Sequence, residues 1–390
     1  MISVTKLLFE TKHFGDHLRY GTGPVRRGYG ASPDSGPVVV WNATRTCNLS
    51  CLHCYASAQP GKFQGELTTA EAVALIEDLA RIKVPVILFS GGEPLLRDDV
   101  LFLSEYAAEK GIRPTISTNG TLINPEMVRR FMDIGVGYVG ISLDGVGEVN
   151  DRFRGRPGAF EKALAGIRHC KEGGQRVGLR FTINRHNRNA LPSIFDLIES
   201  EGIPRVCFYH LVYSGRGSGM VEQDVTHEET RAIMDLIIDR ALRFEEQGLD
   251  VEILTVDNHA DGVYLYLRAL REFPQRAGRI LELLRANGGN RSGVAFGNLD
   301  SQGFVHPDQF TPNHSFGNVR ETSFSEIWYH SQHPILVGLR DRRPLLKGRC
   351  SRCRWLDVCN GNFRARAEAV TGDFWESDPA CYLTDEEILG

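Results

Sequence analysis

Seven of the nine cysteines in this chain fall into two groups. Cys47, Cys51 and Cys54 follow a C-x3-C-x2-C spacing, while Cys350, Cys353 and Cys359 follow C-x2-C-x5-C, with Cys381 further on. An odd total, clustered in a long chain, is the pattern of metal ligation. A disulfide scaffold instead spreads its cysteines along a short secreted chain. A single structural zinc at the first group would need a fourth donor. The one local choice, His53, sits directly beside Cys54 and is poorly placed to reach the same metal. Iron–sulfur clusters take four ligands at such short spacings, so three cysteines leave one iron open to another molecule. A zinc knot is the alternative. The C-terminal group could supply four thiolates to one centre, read as an iron–sulfur cluster or as a zinc ribbon. Cys170 and Cys207 stand alone and read as small core hydrophobes.

The elements that must position these groups show in the apolar pattern. Runs at 38–44, 84–90, 113–119, 137–143, 178–184 and 205–211 are nearly continuous in apolar residues, as strands buried on both faces of a parallel sheet are. Helical patterns at 69–82, 99–110, 125–134, 159–172 and 190–201 lie between them. Gly111, Gly135, Gly173 and Gly202 follow four of these helices, and Pro125 opens one. Strands alternating with helices imply an α/β fold whose parallel sheet is barrel-like or doubly wound. After Thr226 long helices are expected at 227–247 and 263–286, and from about residue 288 the chain is irregular enough to need a staple. The expected organisation is an N-terminal arm at 1–35, a core at 36–225, a helical connector at 226–290 and a cluster-stapled domain at 291–390.

Composition narrows the function classes. The chain has 390 residues, 42% apolar and 24% charged, with a net charge of -4. That is globular composition with no basic field for nucleic acid or an anionic membrane. No apolar run approaches the roughly twenty residues of a spanning helix, and Glu10, Lys12 and His13 interrupt the first apolar stretch, unlike a secretory signal. A soluble, cytoplasmic protein is expected.

Cys47-x3-Cys51-x2-Cys54, with the aromatic Tyr55 beside the last cysteine, resembles the hallmark of the radical S-adenosylmethionine (SAM) superfamily. Other residues extend the likeness: Gly91-Gly92-Glu93-Pro94 ends the second strand, Ser117 and Asn119 the third, Ser142 and Asp144 the fourth, and Arg180 lies on the fifth. The resemblance implies a partial six-unit (β/α) barrel, TIM-like, with a 4Fe–4S cluster on Cys47, Cys51 and Cys54. It also implies SAM contacts from Tyr55, Gly91, Gly92, Glu93, Ser117, Asn119, Ser142, Asp144 and Arg180. The C-terminal cysteines resemble the SPASM/twitch extension of radical SAM maturases, which implies an auxiliary 4Fe–4S cluster on Cys350, Cys353, Cys359 and Cys381. No cysteine lies between Cys207 and Cys350, so only one such cluster is implied.

The stretches 206–219, 254–268 and 314–328 look like the radical SAM enzymes that trim side chains of siroheme-derived tetrapyrroles. The implied substrate is an iron tetrapyrrole, 12,18-didecarboxysiroheme. Loss of two acetates is the favoured outcome and loss of propionates the competing one. The implied electron donor is a ferredoxin or flavodoxin. Tyr209, His210, Arg216 and His259 are candidate substrate contacts; His210 or His259 could ligate the substrate iron, and arginines including Arg154 and Arg156 could meet its carboxylates. Two other readings remain open, a peptide maturase and a SAM-binding sensor without turnover.

Overall fold

The computed structural model describes residues 1–21, 29–32 and 34–389. Among them ten strands form one sheet. These are β1 (Ile2–Ser3), β2 (Val38–Thr44), β3 (Val86–Gly91), β4 (Arg113–Thr118), β5 (Tyr138–Ser142), β6 (Val177–Ile183), β7 (Arg205–His210), β8 (Glu252–Val256), β9 (Phe296–Leu299) and β10 (Val305–His306). The order is β1-β8-β7-β6-β5-β4-β3-β2-β9-β10. From β2 to β8 every neighbour is parallel and consecutive in the chain, the strand succession of a (β/α) partial barrel. The six apolar runs all become strands. Trp41, Phe89, Ile116, Ile141, Phe181 and Phe208 are fully buried along them.

Local signals set the helices. Thr68 and Glu71 form a capping box at Thr69–Arg81; Asn124 caps Pro125–Ile134, and Gly135 ends it with φ 79°. Gly173 has φ -83° and the left-handed turn falls on Gly174 instead. No helix among the described residues is long and apolar enough to cross a membrane.

Three sequence expectations are corrected. Residues 1–35 are not a separate arm: β1 pairs antiparallel with β8, and the helix Val4–Phe9 buries Val4, Leu7 and Leu8 in the main core. Residues 22–28 and 33 of that stretch lie outside the described residues. The 226–290 connector is not all helix, because β8 runs parallel to β7 as a seventh barrel strand. Its charged first residue, Glu252, interrupts the apolar run but is paired with Arg19 and Arg205. Finally, the region after 291 shares the barrel's framework. β9 lies parallel to β2, and Trp355, Val358, Tyr382, Leu383 and Ile388 belong to the same buried cluster as Phe181 and Phe208.

Candidate active site at the mouth of the parallel strands

β2 and β3 slip register between Asn42 and Thr44, and the chain then leaves the sheet as a loop carrying Cys47, Cys51 and Cys54. An isolated bridge between Thr46 and Gln59 closes this loop. Arg216 staples it from a distant segment: its Nε donates to Cys51 O at 2.8 Å, its Nη1 to Ala58 O at 2.6 Å, and its backbone N–H to Cys54 O at 2.9 Å. The preceding Gly215 (φ +57°) approaches so closely that a Cβ there would lie 2.2 Å from Tyr55 O, and only glycine tolerates that approach.

Each of the three sulfurs receives an N–H donor: Leu49 N to Cys47 Sγ at 3.4 Å, Ala58 N to Cys54 Sγ at 3.4 Å, and Arg154 Nη1 to Cys51 Sγ at 3.5 Å. Donors of this kind favour thiolate over thiol. Burial opposes them, pushing Cys47 up to about 11 and raising Cys51. A bound metal is what resolves that conflict, because coordination keeps a buried thiol deprotonated.

The three cysteines line a cleft with Tyr55, Gly91, Gly92, Ser117, Asn119, Ser142, Arg180, Tyr209 and His210. Strand ends from β2 to β7 thus converge on one space. Tyr55 lies across its floor, with its hydroxyl 3.0 Å from Asn42 Oδ1 and 2.9 Å from Ser90 Oγ; burial pushes its phenol up to about 12. Arg180 donates through Nε to Tyr209 Oη at 2.9 Å and through Nη1 to Ser117 Oγ. Gly91 and Gly92 are required by the loop itself. A Cβ on Gly91 would meet Thr44 O at 2.4 Å, and one on Gly92 would meet Thr46 O at 2.2 Å. Their backbone is free to line the cleft because they are pinned against the cysteine loop.

Other candidates are held by partners within the protein. Glu93 is fully buried and accepts from Asn119 N (2.8 Å), Thr118 Oγ1 (2.7 Å) and Leu95 N (3.1 Å), tying the turn after β3 to the end of β4. Burial pushes its carboxyl up to about 7 against those donors. Asp144 is fully buried too. It pairs with Arg154 Nη2 at 2.5 Å and accepts from Thr182 N at 2.8 Å, so it fixes the guanidinium that reaches Cys51. Arg154 and Arg216 therefore brace the cysteine loop and are not free to meet substrate carboxylates; Arg156 is spent on Asn48 O at 2.9 Å. His259 lies outside the cleft lining, stacked on Phe363 and 3.2 Å from the Met1 amine. Burial drives His53 down to about 4, and it stacks on Phe153.

Sequence reasoning missed Thr182, Asp257, Gln309 and Phe310, which also line the cleft. Phe310 meets Tyr55 edge-on at 5.3 Å. Asp257, at the end of β8, has φ +68° and a carboxyl pushed up to about 7 by burial. Recognising β8 as a barrel strand would have pointed to Asp257, since the residue after each strand faces this mouth.

Residues 41–198 match the model of the Radical SAM superfamily. Over its whole length the chain is 55% identical to the Fe-coproporphyrin III synthase of Methanosarcina barkeri, covering 99% of that protein. The chain belongs to the radical SAM superfamily. It is also 46% identical to the pre-heme d1 synthase of Dinoroseobacter shibae, over 97% of this chain and 93% of that one. Among solved structures, SuiB of Streptococcus suis bound to S-adenosylmethionine superposes with a TM-score of 0.70 at 17% identity, over 90% of this chain and 78% of that one. At that identity the likeness is one of fold.

As a radical SAM protein the chain uses SAM and a 4Fe–4S cluster, and the donor set fits them: three sulfurs on one wall, each with its own N–H, beside polar strand ends. The C-terminal cysteines are also brought together. Cys350, Cys353 and Cys381 all act electrostatically on Cys359, whose thiol burial raises far above its usual range, and burial pushes Cys381 up to about 12. Trp355 N donates to Cys353 Sγ at 3.4 Å. The buried Arg366 anchors this region to the barrel mouth, pairing with Asp378 at 2.8 Å and donating to Leu211 O and Asp257 O at 3.1 and 2.6 Å.

Proposed function

We propose that this chain is a cytoplasmic Fe-coproporphyrin III synthase that removes two acetate side chains from 12,18-didecarboxysiroheme during haem biosynthesis. The observation that carries this reading is the 55% identity, over 100% of this chain, to a protein of that name. The cleft supports it with the flat aromatic rings of Tyr55, Tyr209 and Phe310 among its lining.

In this reading Cys47, Cys51 and Cys54 hold the cluster, and the four C-terminal cysteines hold an auxiliary 4Fe–4S cluster. Bound there, the cluster and SAM would supply the radical chemistry needed at an unactivated side chain. The chain's own work is placement. Arg180, held by Ser117 and Tyr209, would meet the SAM carboxylate; the Gly91–Gly92 turn would meet its amino group and Ser142 its ribose. Glu93 and Asp144 hold the walls, and the staple from Arg216 keeps the cysteine loop over the cleft and water out. A ferredoxin or flavodoxin supplies electrons.

Anaerobic turnover with 12,18-didecarboxysiroheme, followed by mass spectrometry, tests this. Loss of two acetate units is expected. Loss of propionates would assign the chain to the pre-haem d1 branch, which the 46% relative represents, and deoxyadenosine formation only with a peptide would replace the tetrapyrrole reading.

A further inference from the structure

His210 ends β7 and faces the cleft, yet it is 5% exposed. Its Nε2 lies 2.9 Å from Asp261 Oδ2. Asp261 is fully buried at the start of the helix Ala260–Glu272, and its other oxygen accepts from Tyr382 Oη at 2.8 Å. Tyr382 is itself buried and follows Cys381 directly.

Asp261 fixes one side of the imidazole: its carboxylate accepts, so Nε2 carries a proton. Among the described residues Nδ1 has no hydrogen-bond partner, and the ring lines the cleft. In the neutral ring that nitrogen carries a lone pair. It can ligate a metal, and a ligating histidine whose other nitrogen donates to a carboxylate is the arrangement that fixes the ring and raises its basicity.

Building on the tetrapyrrole reading above, we propose that His210 Nδ1 is the axial ligand to the substrate iron. Asp261 and Tyr382 are positioning residues that tie this ligand to the C-terminal cysteine site. Ligation forms one nitrogen–iron bond through an existing lone pair, with no proton released and no redox change. The chain Cys381–Tyr382–Asp261–His210 makes the geometry of the substrate iron depend on the assembly of the distant centre.

The test uses the full-length, cluster-loaded protein under anaerobic conditions, with ferric coproporphyrin III and metal-free coproporphyrin III as probes. The wild type should bind the iron form with a shifted Soret band and show nitrogen hyperfine coupling that changes on 15N-histidine labelling. His210→Ala should lose both signatures and regain the band shift on adding imidazole. Asp261→Asn should keep the ligand but raise the iron midpoint potential and weaken preference for the iron form by about tenfold or more. Tyr382→Phe should shift the potential in the same sense by less. An unchanged spectrum in His210→Ala, or labelled wild type without histidine coupling, overturns the ligand assignment while leaving the tetrapyrrole reading intact. Failure of the wild type to bind either probe removes both.

Discussion

The two cysteine sites of this chain are built differently. The first is a loop closed by a backbone bridge, stapled by Arg216 and braced by Arg154, with an N–H donor for each sulfur. The second rests on short turns, Gly348–Arg352 and Leu356–Cys359, where the regular ladder is sparse. A loop with its own hydrogen bonds keeps its shape without metal, whereas an irregular segment carrying four half-buried thiols would draw its folding energy from a metal bound there. The first site is therefore shaped by the barrel, and the second shapes its own surroundings.

Substitutions sharpen this contrast. The triple replacement Cys47→Ala, Cys51→Ala, Cys54→Ala is expected to abolish deoxyadenosine formation while circular dichroism and melting change little. Cys350→Ala with Cys353→Ala should do the reverse in stability, because structural metal sites contribute on the order of 10 kcal/mol to such segments. Limited proteolysis should cut within 341–389, and equal protease resistance in both variants would break the comparison.

A smaller loss is expected from Arg366→Met. It leaves Asp378 buried with its charge unpaired, at about 3–5 kcal/mol, read as a lowered denaturation midpoint at pH 7. The smallest effect concerns Asp257. Its carboxyl is raised to about 7 in the fold from an ordinary 3.8, so between those values the native state holds a proton that the unfolded chain has released. Stability therefore falls as pH rises through that window. Asp257→Asn should flatten the slope between about pH 4 and 7; an identical slope in wild type and variant would remove Asp257 as its source.

Much of the barrel was legible because strands buried on both faces write continuous apolar runs. β8 was not, since Glu252 and Thr255 interrupt its run and only the paired arginines make that burial tolerable. The cysteines and strand-end residues were legible by type and place. The direction each side chain takes was not, because a carboxylate's partner is a long-range fact. Asp144 looked like a ligand contact until Arg154 claimed it, and Arg216 looked like a free cation until it was found holding Cys51 O and Ala58 O.

The staple from Gly215 and Arg216 also orders the protein's assembly in time. More than 150 residues separate it from the thiols it secures. A nascent chain that has released Cys54 but not yet β7 and the turn beyond it owns every ligand of the first centre without the clamp that arranges them. The clamp on that centre is therefore complete only once more than half of the polypeptide has been made.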